Sequence, residues 1–112
     1  MQSFENMFSS TVEKTLTLIL GEEVTKAFYF HMSKNFDLKK DAMASRPDVL
    51  SEALNRTFGK GGQVIQRVII RKLCDKTGVK YDEVSEDNLT SAISELKRTI
   101  FQIPSHGTIQ VL

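Results

Sequence analysis

Phe58-Gly59-Lys60-Gly61-Gly62-Gln63-Val64-Ile65-Gln66-Arg67-Val68-Ile69-Ile70-Arg71-Lys72-Leu73-Cys74 is the stretch on which the fold turns. A helix ends at its start, Gly59, Gly61 and Gly62 follow, and the most apolar segment of the chain begins. At about 100° per residue, Val64, Ile65, Val68, Ile69 and Leu73 cover nearly half of a helical wheel. Ile70 and Cys74 carry the apolar surface further round. Only a narrow strip is polar, holding Lys60, Gln63, Arg67 and Arg71. A helix apolar over most of its surface is buried on several sides, so residues 62–76 are expected at the centre of the molecule. A buried strand competes for Val64–Ile70, because β-branched residues favour strands. The i, i+3, i+4 spacing that continues to Leu73 decides for helix.

The glycines make the turn. Gly59 suits the position just past a helix end, where φ is usually positive. Gly61 and Gly62 fall beside the apolar stripe and would let a neighbouring backbone approach closely. Free N–H groups at a helix start, with Lys60 beside them, could also hold an anion. That reading lacks its context: no Gly-x-x-x-x-Gly-Lys-Ser/Thr is present and no strand precedes the glycines. A tight helix–helix turn is the expectation.

Upstream and downstream, the same periodicity recurs. Phe4, Phe8, Val12, Thr15, Leu16 and Ile19 form one stripe over a first helix from about Ser3 to Leu20, with Met7 and Leu18 on its edge. Its polar face has almost no basic residues, against a membrane-surface helix. Gly21 stops it. Glu22 and Glu23 open a second helix, where acids suit the macrodipole, with Val24, Ala27, Phe28 and His31 as the inward stripe. Tyr29 and Phe30 lie off that stripe, which means either a second packed neighbour or a contact surface for a partner. Asn35 fits its end. Asp37 to Ala44 reads as one helical turn or a loop. Pro47 at a first helical position starts a third helix, with Val49, Leu50, Ala53, Leu54 and Phe58 inward. Thr77-Gly78 closes the central helix. Lys80 to Glu86 is a charged linker, and Ser85 or Asp87 can cap the last helix. Leu89, Ala92, Ile93, Leu96, Ile100 and Ile103 form its stripe, and Pro104 terminates it. The whole is an all-α bundle of about five helices: one domain over residues 1–103 and a tail, 104–112, that frays or forms a short strand against a second copy.

Composition excludes more than it selects. The 112 residues suffice for one self-sufficient core. A net charge of +1 draws the chain to neither nucleic acid nor an anionic membrane. One cysteine rules out an internal disulfide and suits a reducing, cytoplasmic setting. No apolar run is long enough to span a membrane, and the start, Met-Gln-Ser-Phe-Glu, has no signal-peptide layout. Of the two histidines, His31 sits in an apolar stripe and His106 in the tail. No Cys/His cluster has zinc spacing and no Asp-rich loop suggests calcium. No catalytic residue, metal or cofactor is therefore assigned, and the chain reads as a non-enzyme. Nucleic-acid binding is the alternative. The third helix, the glycine turn and the central helix can be read as helix-turn-helix, with Lys60, Arg67 and Arg71 on phosphates. Against it, a recognition helix must bare one face, and this helix is mostly apolar.

The order of landmarks resembles a family of small archaeal helical domains, the Nitrosopumilus output domain type. The resemblance runs over about residues 4 to 78. It rests on Leu20-Gly21-Glu22-Glu23-Val24, on Tyr29-Phe30-His31, and on Pro47, Leu50, Ala53, Leu54, Phe58, Gly59 and Gly61 leading into Val64, Ile65, Val68, Ile69 and Leu73. Gly62 departs from the family pattern, which has a small alanine there. The resemblance implies an all-helical signalling or interaction module without known catalytic residues; the expectation that follows is a protein partner or self-association as a homodimer, with Tyr29 and Phe30 as the candidate surface. It supplies no ligand, so no site is carried over from it.

Overall fold

The computed structural model describes residues 3–80 and 89–110, with side chains as far as Thr99. Five α-helices and one 3-10 helix make up the described chain: α1 Phe4–Leu20, α2 Glu22–Phe36, the 3-10 helix Lys40–Ser45, α3 Pro47–Phe58, α4 Lys60–Thr77 and α5 Leu89–Gln110. The all-α bundle expected from periodicity is the observed architecture. The linker expected at 80–86, beyond Lys80 itself, and the cap by Ser85 or Asp87 fall outside the described residues, as do the side chains of Ile100 and Ile103.

Local chemistry sets most of the boundaries. Ser3 caps α1 by accepting a hydrogen bond from the Asn6 N–H at 3.1 Å. Gly21 ends α1 and starts α2 at φ 87°. Asp37, in the left-handed region at φ 50°, ends α2. Pro47 occupies the first turn of α3. Gly59, at φ 58° and ψ −127°, is the single residue between α3 and α4, a conformation that only glycine adopts without strain. Gly78, left-handed at φ 78°, closes α4.

The central helix is less enclosed than its composition implies. α4 packs on α1, α3 and α5, while α3 itself touches α2, the 3-10 helix, α4 and α5. The middle of the molecule is therefore the α3–α4 pair, with α1, α2, the 3-10 helix and α5 around it. The buried arc of α4 is Gly62, Ile65, Gln66, Ile69, Ile70, Leu73 and Cys74. Val64, expected in the stripe, lies opposite this arc and is 56% exposed. The backbone contact at Gly62 fixes the rotation. A Cβ there would sit 2.3 Å from the Leu54 carbonyl oxygen and 2.9 Å from Asn55 Cα. Whatever lies above Gly62 on the wheel is turned inward, and that includes Gln66.

A similar rotation separates expectation from structure in α2. Thr25, Phe28 and Met32 are buried, and Tyr29 and Phe36 pack partly against the core. Of the expected inward stripe Phe28 is buried, whereas Val24, Ala27 and His31 are exposed. Both sets have helical spacing; the one with the larger side chains buries more area. Phe28, common to both sets, stacks obliquely on Phe58 of α3, ring centroids 5.6 Å apart, and the burial of Thr25 and Met32 beside it shows which way the helix is turned. In α1, Thr11 joins Phe8, Val12, Thr15 and Leu16 inside, whereas Leu18 and Ile19 face outward. Asp37–Ala44 is largely the 3-10 helix, which buries Met43 and Ala44 and packs along α1. From α5, Leu89, Ala92, Ile93 and Leu96 enter the core as expected. Pro104 does not end that helix, which continues to Gln110. Proline removes one hydrogen bond from a helix interior, and nothing among the described contacts accounts for the continuation.

Candidate functional site

Tyr29 and Phe30, adjacent in sequence, have different surroundings. Tyr29 packs partly against the core, its ring 6.1 Å from that of Phe28. Lys40 Nζ lies 5.3 Å above the Tyr29 ring and pairs with Glu13 of α1, so the 3-10 helix clamps this side chain from outside. The Tyr29 hydroxyl is buried without a hydrogen-bond partner among the described residues. Burial, with Glu13 nearby adding repulsion, pushes the phenol well above its ordinary pKa. Phe30 points the other way and is 65% exposed, covered on one side by Lys34 at 5.2 Å.

Phe30 is part of a larger feature. The large apolar side chains exposed among the described residues are Leu18, Ile19, Val24, Phe30 and Val64. The first four belong to the α1–α2 hairpin. Leu18, at 75%, is the most exposed of them. Two open grooves flank it. One, of about 560 Å³, runs between α1 and α2 past Glu13, Thr17, Glu22, Lys26, Tyr29 and Lys40. The other, of about 400 Å³, runs between α1 and the end of α4 past Thr11, Lys72, Asp75 and Lys76. Lys14 and Leu18, one turn apart on α1, line both, so together they form the ridge between the grooves.

The structure does bring the three predicted basic residues together. Lys60, Arg67 and Arg71 are all exposed and share one strip of α4 with Val64. Arg67 and Arg71 are each already engaged with a neighbouring group. α4 therefore bares a face after all, the property that its apolar composition argued against. Its approach to α3 is close, however, because Gly59 alone separates the two helices and Gly62 lies against the α3 backbone.

Gln66 was not evident as a structural residue from its sequence context. Its side chain is buried, yet every polar position is matched. Ser51 Oγ donates to its Oε1 at 2.6 Å, and its Nε2 donates to Asn55 Oδ1 at 3.0 Å and to the Gly62 carbonyl at 3.2 Å. A polar residue inside the most apolar helix, one turn after a glycine, was the available signal.

Chemistry for catalysis is sparse. His31 is exposed rather than in the core; its Nδ1 accepts from Asn35 Nδ2 at 2.7 Å, and its ring meets Phe36 edge-on. Cys74 is buried, and desolvation, with Asp75 adding, raises its thiol pKa and disfavours the thiolate. Among the described residues no three His, Cys, Asp or Glu side chains converge as a metal site, and no helix is long and apolar enough to cross a membrane. Comparison with family models, with characterised proteins and with solved structures gave no match.

Proposed function

We propose that this chain is a non-enzymatic helical interaction module that engages a protein partner, or a second copy of itself, through the outer surface of the α1–α2 hairpin. One observation carries the reading: of the five large apolar side chains exposed among the described residues, four, Leu18, Ile19, Val24 and Phe30, lie on one hairpin. An exposed cluster of this kind has an energetic reason to be covered, about 25 cal/mol for each Å² of apolar surface removed from water. Phe30 supplies the aromatic ring of this surface, and Tyr29, packed partly against the core, supports the helix that carries it. The sequence landmarks that resemble the archaeal helical domains support a role at the output end of a signalling system, and a reducing cytoplasm suits its one buried thiol. Sedimentation velocity across a hundredfold concentration range tests self-association. Affinity capture with wild type and with Leu18→Glu/Phe30→Glu tests a separate partner. Identical sedimentation and identical captured proteins for the two would sink the reading.

The exposed basic strip supports a second reading, in which Lys60, Arg67 and Arg71 contact nucleic-acid phosphates. Fluorescence anisotropy with mixed duplex DNA at low and physiological salt decides it. Binding that falls steeply with salt and is lost in Arg67→Glu/Arg71→Glu would establish this reading; no binding at low salt would remove it.

A further inference from the structure

We infer that the Lys14–Leu18 ridge of α1, with the groove on either side of it, receives an acidic amphipathic helix from a partner protein. The inference rests on the interaction-module reading and names its surface and the partner's chemistry. Leu18 stands 75% exposed on the ridge. Both grooves have more apolar than polar wall, much of it the methylene stems of lysines that keep their charged ends in water. This is the arrangement that a helix with one apolar face fits. The charges select its sign. Lys14, Lys26, Lys72 and Lys76 line the grooves and make no ion pair among the described residues, whereas Lys40 is paired with Glu13. Of the three carboxylates on these walls, Glu13 is held by Lys40, which leaves Glu22 and Asp75 to face the four lysines. An incoming acidic flank would find complementary charge on both sides of Leu18.

The two carboxylates also separate a protein partner from a polyanion. Asp75 lies between Lys72 and Lys76 in one groove, and Glu22 lies near Lys26 in the other. A continuous run of phosphates, on nucleic acid or a lipid surface, would meet repulsion at both points. A peptide carries discrete charges and can place a neutral or basic residue there.

The test is selection from a displayed library of random 16-residue peptides on wild-type protein, followed by anisotropy of the enriched sequences. The expected sequences carry net negative charge with apolar residues at i, i+3 and i+4. Their affinity should fall at least tenfold in Leu18→Ser and in Lys14→Glu/Lys72→Glu, changes outside the buried core whose folding is checked by circular dichroism. Raising salt from 50 to 500 mM should weaken binding several-fold. Enriched peptides that are neutral or basic, or that respond to Phe30→Ser and not to Leu18→Ser, would overturn the inference and leave the interaction module standing. A library that enriches nothing would overturn the inference, and the sedimentation and capture experiments would still decide the interaction module. Tighter binding of a 20-base-pair DNA or of phosphatidylserine vesicles than of any selected peptide would assign the surface to a polyanion and overturn it.

Discussion

Gly62→Ala should be among the most damaging single-methyl additions possible in this protein. The added Cβ would lie 2.3 Å from the Leu54 carbonyl oxygen, 2.6 Å from its carbonyl carbon and 2.9 Å from Asn55 Cα. All three are backbone atoms, so no side chain can swing aside. Ordinary contact lies near 3.5 Å, so α4 must retreat from α3 by roughly 1 Å. Overpacking of this kind costs about 1–3 kcal/mol. The retreat also stretches the bonds of Gln66 to Ser51 and Asn55, at 2.6 and 3.0 Å, beyond useful length. A buried amide left without partners adds about 1–3 kcal/mol. Alanine's better helix propensity returns at most about 1 kcal/mol. The net loss is about 3 kcal/mol, a large share of the 5–15 kcal/mol usual for a domain. Gly61→Ala is the control, since its Cβ would meet only Phe58 Cβ at 3.7 Å. That variant should be neutral or up to about 1 kcal/mol more stable. Urea unfolding followed by circular dichroism at 222 nm measures both. If Gly62→Ala unfolds within 1 kcal/mol of wild type at an unchanged m-value, the α3–α4 contact is not as close as the geometry states, and the argument fails.

Ser51→Ala should destabilise by about 1–3 kcal/mol because it strips the donor from a buried Gln66 oxygen. Gln66→Leu should cost less, since Ser51 and Asn55 can then turn to water, and urea unfolding ranks the two. Tyr29→Phe should be neutral or slightly stabilising, because the hydroxyl it removes is buried and unpartnered. In wild type the raised Tyr29 pKa means that the unfolded chain releases its proton first, near pH 10. Stability should therefore be full below about pH 10 and fall as pH rises beyond it, a loss that Tyr29→Phe reduces; thermal unfolding from pH 8 to 11 is the check. Phe30→Ser should shift the urea midpoint by less than about 1 kcal/mol, since Phe30 touches only solvent and Lys34 on its open side. A larger shift would make Phe30 a structural residue and weaken its place in the interaction surface.

Much of the fold was present in one-dimensional form. Gly21, Gly59 and Gly78 each mark a backbone with positive φ, and Pro47 and Ser3 mark helix starts. These are local effects, set by the chemistry of a residue and its immediate neighbours, and they fixed five helices before any packing was known. The closeness demanded at Gly62 was also readable as a glycine beside an apolar stripe. That it must be glycine, and not the alanine of the family pattern, needed the 2.3 Å approach of Leu54.

Rotation about each helix axis is what local chemistry leaves open. α2 offers two stripes of equal spacing that share Phe28, and the packing of Thr25 and Met32 into the core chooses between them. That choice sends His31 and Val24 to solvent and tucks Tyr29 under Lys40. In α4 the backbone contact at Gly62 turns Gln66 inward and Val64 outward. The candidate site depends wholly on these rotations. Leu18, Lys14, Lys72 and Lys76 are unremarkable at their separate places in the chain, and become one surface when α1 lies beside the end of α4. Sequence alone determined where the helices begin and end as far as Gly78, though not the end of α5, which runs past Pro104, because hydrogen bonding and φ preference act over a few residues. Tertiary structure decided which face of each helix meets water, because burial is settled jointly by every neighbour that competes for the core.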